Sequence, residues 1–272
     1  MTADPPRTDA NPAWKVLGSG GGARVDTPYE AGEGRPEIDC VVLNPPQRLL
    51  DIGCADGMVS KRLRQKYPGL FCWGVEISQA ADEAEKHLDR VTRCSLTEAG
   101  EAEIQLLPTM DTVLLLDVLE HMYDPWGTLC FLARHLAPTA QLIISLPNIG
   151  YAAVLQDLAN GYWQYQLTGL LDVTHIRFFT LFEMEKMFYE TGFRIVERAF
   201  VVNYCVDKHK YPPNAFPAQV DFGGVQLIVQ SHEQFVCLNS QQILFNIQRA
   251  EDAVLSPAEL ALRHSSHPKT RV

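Results

Sequence analysis

From residue 48 onward, short apolar runs alternate with polar or one-sided stretches. The run 48–52 (Arg-Leu-Leu-Asp-Ile) reads as a strand, a tight glycine-containing turn follows, and the polar stretch 58–66 reads as a helix. A second apolar run ends at Glu76 and gives a strand over 71–76. A helix near 79–88 follows it, with Ala80, Ala84 and Leu88 on one face. A short strand is expected near 91–94. Residues 111–117 (Asp-Thr-Val-Leu-Leu-Leu-Asp) are almost all apolar, as a strand covered on both faces should be. Asp124-Pro125 supplies an N-cap and an N1 proline for a helix over 126–136, whose apolar stripe is Leu129, Leu132 and Leu136. A strand over 141–146 stops at Pro147-Asn148.

Beyond residue 150 the regularity loosens. Residues 151–177 are rich in aromatics, among them Tyr151, Tyr162, Trp163 and Tyr165. Thr180-Leu-Phe-Glu183 has the form of a capping box opening a helix over 181–190, which Gly192 closes. Residues 193–201 alternate as a half-exposed strand does. The stretch 205–236 carries three prolines and Gly223-Gly224 and reads as an irregular insertion, after which 242–248 completes the sheet. The order is a βαβα series, which predicts a mostly parallel sheet with helices on both faces. Its ligand crevice should lie at the carboxyl ends of the strands. One domain is expected over 35–250, between a flexible arm at 1–34 and a flexible tail at 251–272.

Composition narrows the function. The chain has 272 residues, 46% of them hydrophobic, enough to bury one sizeable core. Lys and Arg number 23 against 33 Asp and Glu, a formal charge of −10, and no basic run stands out. That argues against a nucleic-acid substrate. Seven cysteines without a Cys-x-x-Cys pair read as reduced, mostly buried thiols, neither a disulfide frame nor a zinc site. With no apolar leader and no long apolar run, the expectation is a cytoplasmic protein without a membrane span.

The chemistry concentrates at the turn after the first strand. Asp51 is followed by Gly53-x-x-x-Gly57, with Ala55 in the middle, and Glu76 stands at the end of the next strand. A tight turn and helix start at the first strand, with an acid at the second, form a nucleotide-type site. The turn offers backbone N–H groups to an anionic group, and the acid accepts from two ribose hydroxyls. The spacing is neither the Gly-x-Gly-x-x-Gly of dinucleotide folds nor a Walker loop.

At this point the chain resembles the first motif of class I S-adenosylmethionine (SAM) methyltransferases, usually Asp-x-Gly-Cys-Gly-x-Gly. Residues 117–125, Asp-Val-Leu-Glu-His-Met-Tyr-Asp-Pro, are similar to a segment of ubiquinone-type and sugar-modifying O-methyltransferases. Asp172-Val-Thr-His-Ile-Arg-Phe-Phe-Thr180 resembles a signature of a branch linked to glycan and polyketide tailoring. The resemblance spans roughly residues 35–200. It implies a Rossmann-like α/β fold of seven strands, mostly parallel with the last antiparallel, and SAM as cofactor. It carries over Asp51, Gly53, Cys54, Gly57, Glu76, Ile77 and Asp117 as cofactor contacts, and Arg35 as partner of the SAM carboxylate. The implied acceptor is a small or carrier-linked metabolite. One departure stands out: where relatives carry Gly-Asp near the adenine, this chain has Arg93-Cys94-Ser95-Leu96.

Methyl transfer to a hydroxyl needs a base, and histidine suits that task near neutral pH. His121, on the loop after the 111–117 strand, is the first candidate, and His175 is the second. A structural role shaping the loop is the competing reading for both. With Asp117 or Glu120 the pair could instead grip a divalent metal, but no ligand spacing around them supports that. An NAD-dependent oxidoreductase is the rival enzyme class, disfavoured by the missing third glycine. An N-methyltransferase and a non-catalytic SAM-fold binding protein complete the alternatives.

Overall fold

The computed structural model describes residues 34–95, 98 and 100–250. The expected arm, apart from Gly34, and the tail lie outside the described residues, as does Leu96. The main-sheet strands and flanking helices are, in chain order, β1 (Arg48–Ile52), α1 (Met58–Lys66), β2 (Phe71–Val75), α2 (Ala81–Ala84), β3 (Arg90–Thr92), α3 (Glu101–Leu106), β4 (Thr112–Leu116), α4 (Pro125–His135) and β5 (Gln141–Pro147). The remainder is α5 (Ala152–Ala159), α6 (Leu181–Glu190), β6 (Phe193–Val202), β7 (Ala218–Phe222), β8 (Val225–Val229), α7 (His232–Leu238) and β9 (Ser240–Arg249).

Seven strands form one sheet in the order β3-β2-β1-β4-β5-β9-β6. Pairings through β5 are parallel, and β9 lies antiparallel to both of its neighbours. The last strand therefore runs against the other six, as expected. Alternate residues of the central strands feed two cores. Leu50, Ile52, Val113 and Leu115 pack with Leu129, Leu132, Met187 and Phe188 on one face. Leu49, Cys72 and Leu114 pack with Leu63, Ala84 and Leu88 on the other. Both faces are dry, which is why these strands read as continuous apolar runs rather than as alternation.

Several expectations need correction. The 205–236 stretch is an ordered subdomain: β7 and β8 form an antiparallel hairpin, and α7 covers it. Val220, Phe222, Val229 and Phe235 make its small core together with Ala152. The helix near 79–88 is confined to Ala81–Ala84, and α3 and α5 were not foreseen. Asp124 caps α4 through Gly127 N–H, as its sequence implies. Thr180 does not act through its hydroxyl: it precedes α6 without a side-chain cap, and only its carbonyl enters the helix, accepting from Met184 N–H. Of the cysteines only Cys54 and Cys72 are buried.

Candidate functional site

The carboxyl ends of β1, β2 and β4 and the loops after them build the site. Gly53 (φ 70), Ala55 (φ 46) and Gly57 (φ 78) carry the chain from β1 into α1 through left-handed backbone. Gly53 is also hemmed in, since a Cβ there would lie 2.6 Å from Val118 Cγ2. Part of the turn's N–H donors are spent within the protein, while among the described residues no bond is found for Asp56 N–H. Gly53 and Cys54 N–H donate to the Val75 carbonyl at 2.7 and 3.3 Å. Gly57 N–H donates to the Cys54 carbonyl, Ala55 N–H to the Glu76 carboxylate, and Met58 N–H to Asp56. A pyrophosphate needs such donors unspent. A ligand that meets the turn through uncharged atoms does not.

Cys54 turns its thiol into the core, close enough to β2 that a Cβ on Gly74 would meet its Sγ at 2.6 Å. Burial pushes that thiol up, so it is inert packing, and any ligand contact from Cys54 comes from its main chain. Asp51 is also buried and accepts from the Ser60 hydroxyl at 2.6 Å. Burial raises its pKa to about 7, with Glu76 adding to the shift and Ser60 opposing it. Glu76 braces two loops, taking Ala55 N–H at 3.0 Å and Ser78 N–H at 2.7 Å. Ile77, next along, is 60% exposed and free to lie along a flat ligand.

Arg35 reaches across the crevice from the chain before β1. Its Nη1 meets Asp117 Oδ2 at 2.5 Å, its Nη2 meets Ser145 Oγ at 3.0 Å and Gln242 Oε1 at 3.2 Å, and its Nε bonds Glu37. Burial opposes the Arg35 charge, yet Asp117 and Glu37 outweigh it and raise its pKa. Gln242 in turn donates to Asp117. Ser145 and Gln242 were not singled out in the sequence. Ser145 sits inside an apolar strand, which is a usable signal, whereas Gln242 lies in an amide-rich stretch that offers none.

The two histidines come together. Their rings lie 4.7 Å apart, edge to face. His121 Nδ1 is 3.2 Å from the Thr174 carbonyl and 3.1 Å from its hydroxyl, and His175 Nδ1 is 3.1 Å from the Leu170 carbonyl. The Glu120 carbonyl accepts from Ile176 and Arg177 N–H, both at 3.0 Å, which fastens the 170s segment onto the loop after β4. The Glu120 side chain is fully buried, and neither of its oxygens has a hydrogen-bond partner. Burial, with Asp117 nearby, holds its carboxyl well above the usual range. One ligand atom from each of Glu120, His121 and His175 falls within 4.8 Å of the others. Sequence spacing carries no ligand pattern for this trio, because His175 joins the adjacent Glu120 and His121 from a distant segment. Arg177 donates to the Tyr123 carbonyl at 2.5 Å, whereas Asp172 is taken by Thr174.

An α/β sheet of this order with a reversed last strand, carrying a glycine turn and a buried acid at the ends of β1 and β2, defines a class I SAM-dependent methyltransferase. The residues present suit SAM: a left-handed glycine turn allows close approach, and a cation and an acid face the crevice at Arg35 and Glu76. A family model described as methyltransferase domain matches residues 32–198, and the chain belongs to that family. Among curated relatives, the ubiquinone biosynthesis O-methyltransferase of Saccharophagus degradans is 25% identical over 65% of this chain and 75% of its own. That of Hahella chejuensis is 29% identical over 38% of this chain and 44% of its own, less than half of the relative's length. The trans-aconitate 2-methyltransferase of Yersinia pestis is 24% identical over 51% of this chain and 56% of its own. The mitomycin 7-O-methyltransferase structure is similar in fold, with TM-score 0.52 and 16% identity over 89% of this chain and 62% of that one. Among the described residues, no helix is long and apolar enough to cross a membrane.

Proposed function

We propose that the protein moves the methyl group of SAM onto a hydroxyl oxygen of a small or carrier-linked metabolite such as a sugar, quinol or polyketide-like acceptor, in the cytoplasm. Bound SAM supplies an electrophilic methyl group. The chain's own task is to grip the cofactor, hold the acceptor in line and take its proton. Glu76 accepts from the ribose hydroxyls, Ile77 lies along the adenine, and Arg35 receives the methionine carboxylate near Asp117. Gly53 and Gly57 allow close approach, with the main chain of Cys54 beside them, and Asp51 buttresses the turn through Ser60.

His121 is the base in this reading, and its tautomer carries the argument. A carbonyl only accepts, so the contact with the Thr174 carbonyl puts the His121 proton on Nδ1. Nε2 is then the basic nitrogen. His175 is held the same way through the Leu170 carbonyl and is the second candidate. The test is a mass-spectrometric screen with SAM against sugars, quinols and phenols, with amines in parallel. Methylation of amines alone would overturn the assignment of oxygen as nucleophile. Absence of SAM binding would leave only a scaffold protein.

One observation favours a second reading of the same cluster. A fully buried carboxylate whose oxygens accept no hydrogen bond, with His175 Nε2 4.0 Å from Oε1, is unfavourable unless it is protonated or faces a cation. Glu120, His121 and His175 could then hold a divalent ion, which would lower the acceptor's pKa in place of a histidine base. Turnover that survives exhaustive chelation excludes it.

A further inference from the structure

The subdomain between β6 and β9 has a pocket of its own. β6 runs with the parallel strands, so its end at Val202 lies on the crevice edge of the sheet, and β9, running the other way, starts from that same edge. The intervening segment is tied down there. Asn203 N–H donates to the Asn239 carbonyl at 2.7 Å, Tyr151 Oη to the Asn203 carbonyl at 3.0 Å, and Asn148 Nδ2 to the Cys237 and Ser240 carbonyls at 3.0 Å. Two residues past Ser240, Gln242 touches Arg35 and Asp117 in the cofactor crevice.

Within this subdomain a cavity of about 280 Å³ is lined by Tyr204, Lys208, His209, Tyr211, two prolines, His232 and Phe235. Phe235 is the hub of its aromatic wall, with ring centroids 5.4 Å from Tyr211 and 6.1 Å from Tyr204. The basic wall is Lys208 and His209, from the turn Lys208–Lys210, whose start is fixed by Asp207 accepting from His209 N–H at 3.0 Å. Lys208 Nζ lies 5.3 Å from the Tyr204 ring centre. Among the described residues no ion pair is found for Lys208, and no acid lines the cavity. In a chain of net charge −10, the cavity thus gathers a lysine, two histidines and two phenols without an acid.

We propose that this pocket binds a phosphate monoester carried on a ring, and that it anchors the phosphorylated end of the acceptor. The aromatic wall takes the ring. Lys, His and Tyr side chains supply donors, and a phosphate monoester, doubly charged with three terminal oxygens, uses more of them than a carboxylate does. The anchoring role rests on the methyl-transfer reading; the binding itself does not.

The experiment is calorimetry of the full chain saturated with S-adenosylhomocysteine, so that the crevice is filled, titrated with phenyl phosphate. Inorganic phosphate, phenol and benzoate are titrated alongside. Phenyl phosphate is expected to bind best, and Lys208→Glu to weaken it by roughly tenfold or more. Tyr211→Ala should weaken phenyl phosphate but not inorganic phosphate. S-adenosylhomocysteine affinity and the melting temperature of Lys208→Glu should match wild type, separating a lost pocket from a lost fold. Equal binding of phenyl phosphate to wild type and Lys208→Glu overturns the site, and benzoate binding as tightly overturns the phosphate assignment. Phenyl phosphate binding that depends on Lys208, in a protein that methylates nothing, upholds the pocket while the methyl-transfer reading fails.

Discussion

Arg35 and Asp117 face each other across the cofactor crevice at 2.5 Å, and each holds left-handed backbone, with φ of 57 and 56. Neither residue is a glycine, so each conformation is unfavourable locally and is kept by its surroundings. Asp117 N–H donates to the Ser145 carbonyl, and its carboxylate accepts from Arg35, Ser145 and Gln242. Arg35 is thus positioned before any ligand arrives.

If Arg35 receives the methionine carboxylate, Arg35→Ala should weaken S-adenosylhomocysteine by about 1.5–3 kcal/mol while adenosine affinity changes little. Calorimetry with both ligands separates the two ends of the cofactor. Equal losses for both would assign Arg35 to shaping the crevice as a whole.

Glu76→Ala should show the complementary pattern, losing affinity for adenosine and S-adenosylhomocysteine alike by about 1.5–3 kcal/mol. Since Glu76 also braces Ala55 and Ser78, the melting temperature should fall as well. Unchanged adenosine affinity would place the ribose elsewhere.

Gly53→Ala brings a Cβ against Val118 and strains a φ of 70, so roughly 1–3 kcal/mol of stability and most cofactor affinity should go. Adding Val118→Ala removes the clash but not the φ strain. Thermal melts of the double variant should therefore recover only in part, and full recovery would show that the backbone strain is negligible.

For His121, Ala should leave SAM binding nearly intact and slow turnover by ~10²–10⁴, the usual range for general base catalysis. His121→Gln keeps a hydrogen bond but takes no proton, and should be nearly as slow. Near-normal turnover of both variants would pass the base role to His175.

The elements legible in the sequence were those whose signal is local. The turn after β1, the Asp124-Pro125 start of α4 and the seven strands of the main sheet fell within a residue or two of their places. The subdomain between β6 and β9 was not legible because its prolines and paired glycines look the same in a loop and in a hairpin with a three-dimensional partner. The inward positions Val220 and Phe222 bury against Val229, Phe235 of α7 and Ala152 of α5, the last from outside the segment. The histidine cluster was half legible: both residues stood in motifs, but their meeting depends on the Glu120 carbonyl holding the 170s segment. The bonds that tie the glycine turn to Val75 and Glu76 leave no mark in the sequence.

Asp51 makes stability depend on pH. Its folded pKa of about 7 lies above its ordinary 3.8, so the folded state keeps a proton that the unfolded chain releases over that interval. The contribution is whole below about pH 4, declines as pH rises, and is lost above about pH 7. Melting temperatures of Asp51→Asn, which cannot ionise, should vary less over this range than those of wild type. Parallel profiles would mean Asp51 is already ionised throughout.

The hairpin subdomain departs after Val202 and rejoins at Ser240, and a single 2.7 Å bond between the main chains of Asn203 and Asn239 closes its neck. Ends held that near set the segment apart from the sheet, with Asn148, Tyr151 and Ala152 as its outside anchors. It can lengthen, shorten or be traded for another without shifting β6 along β9. If the segment holds the acceptor as proposed, heredity can rewrite which molecules are accepted while the grip on the methyl donor stays as it is.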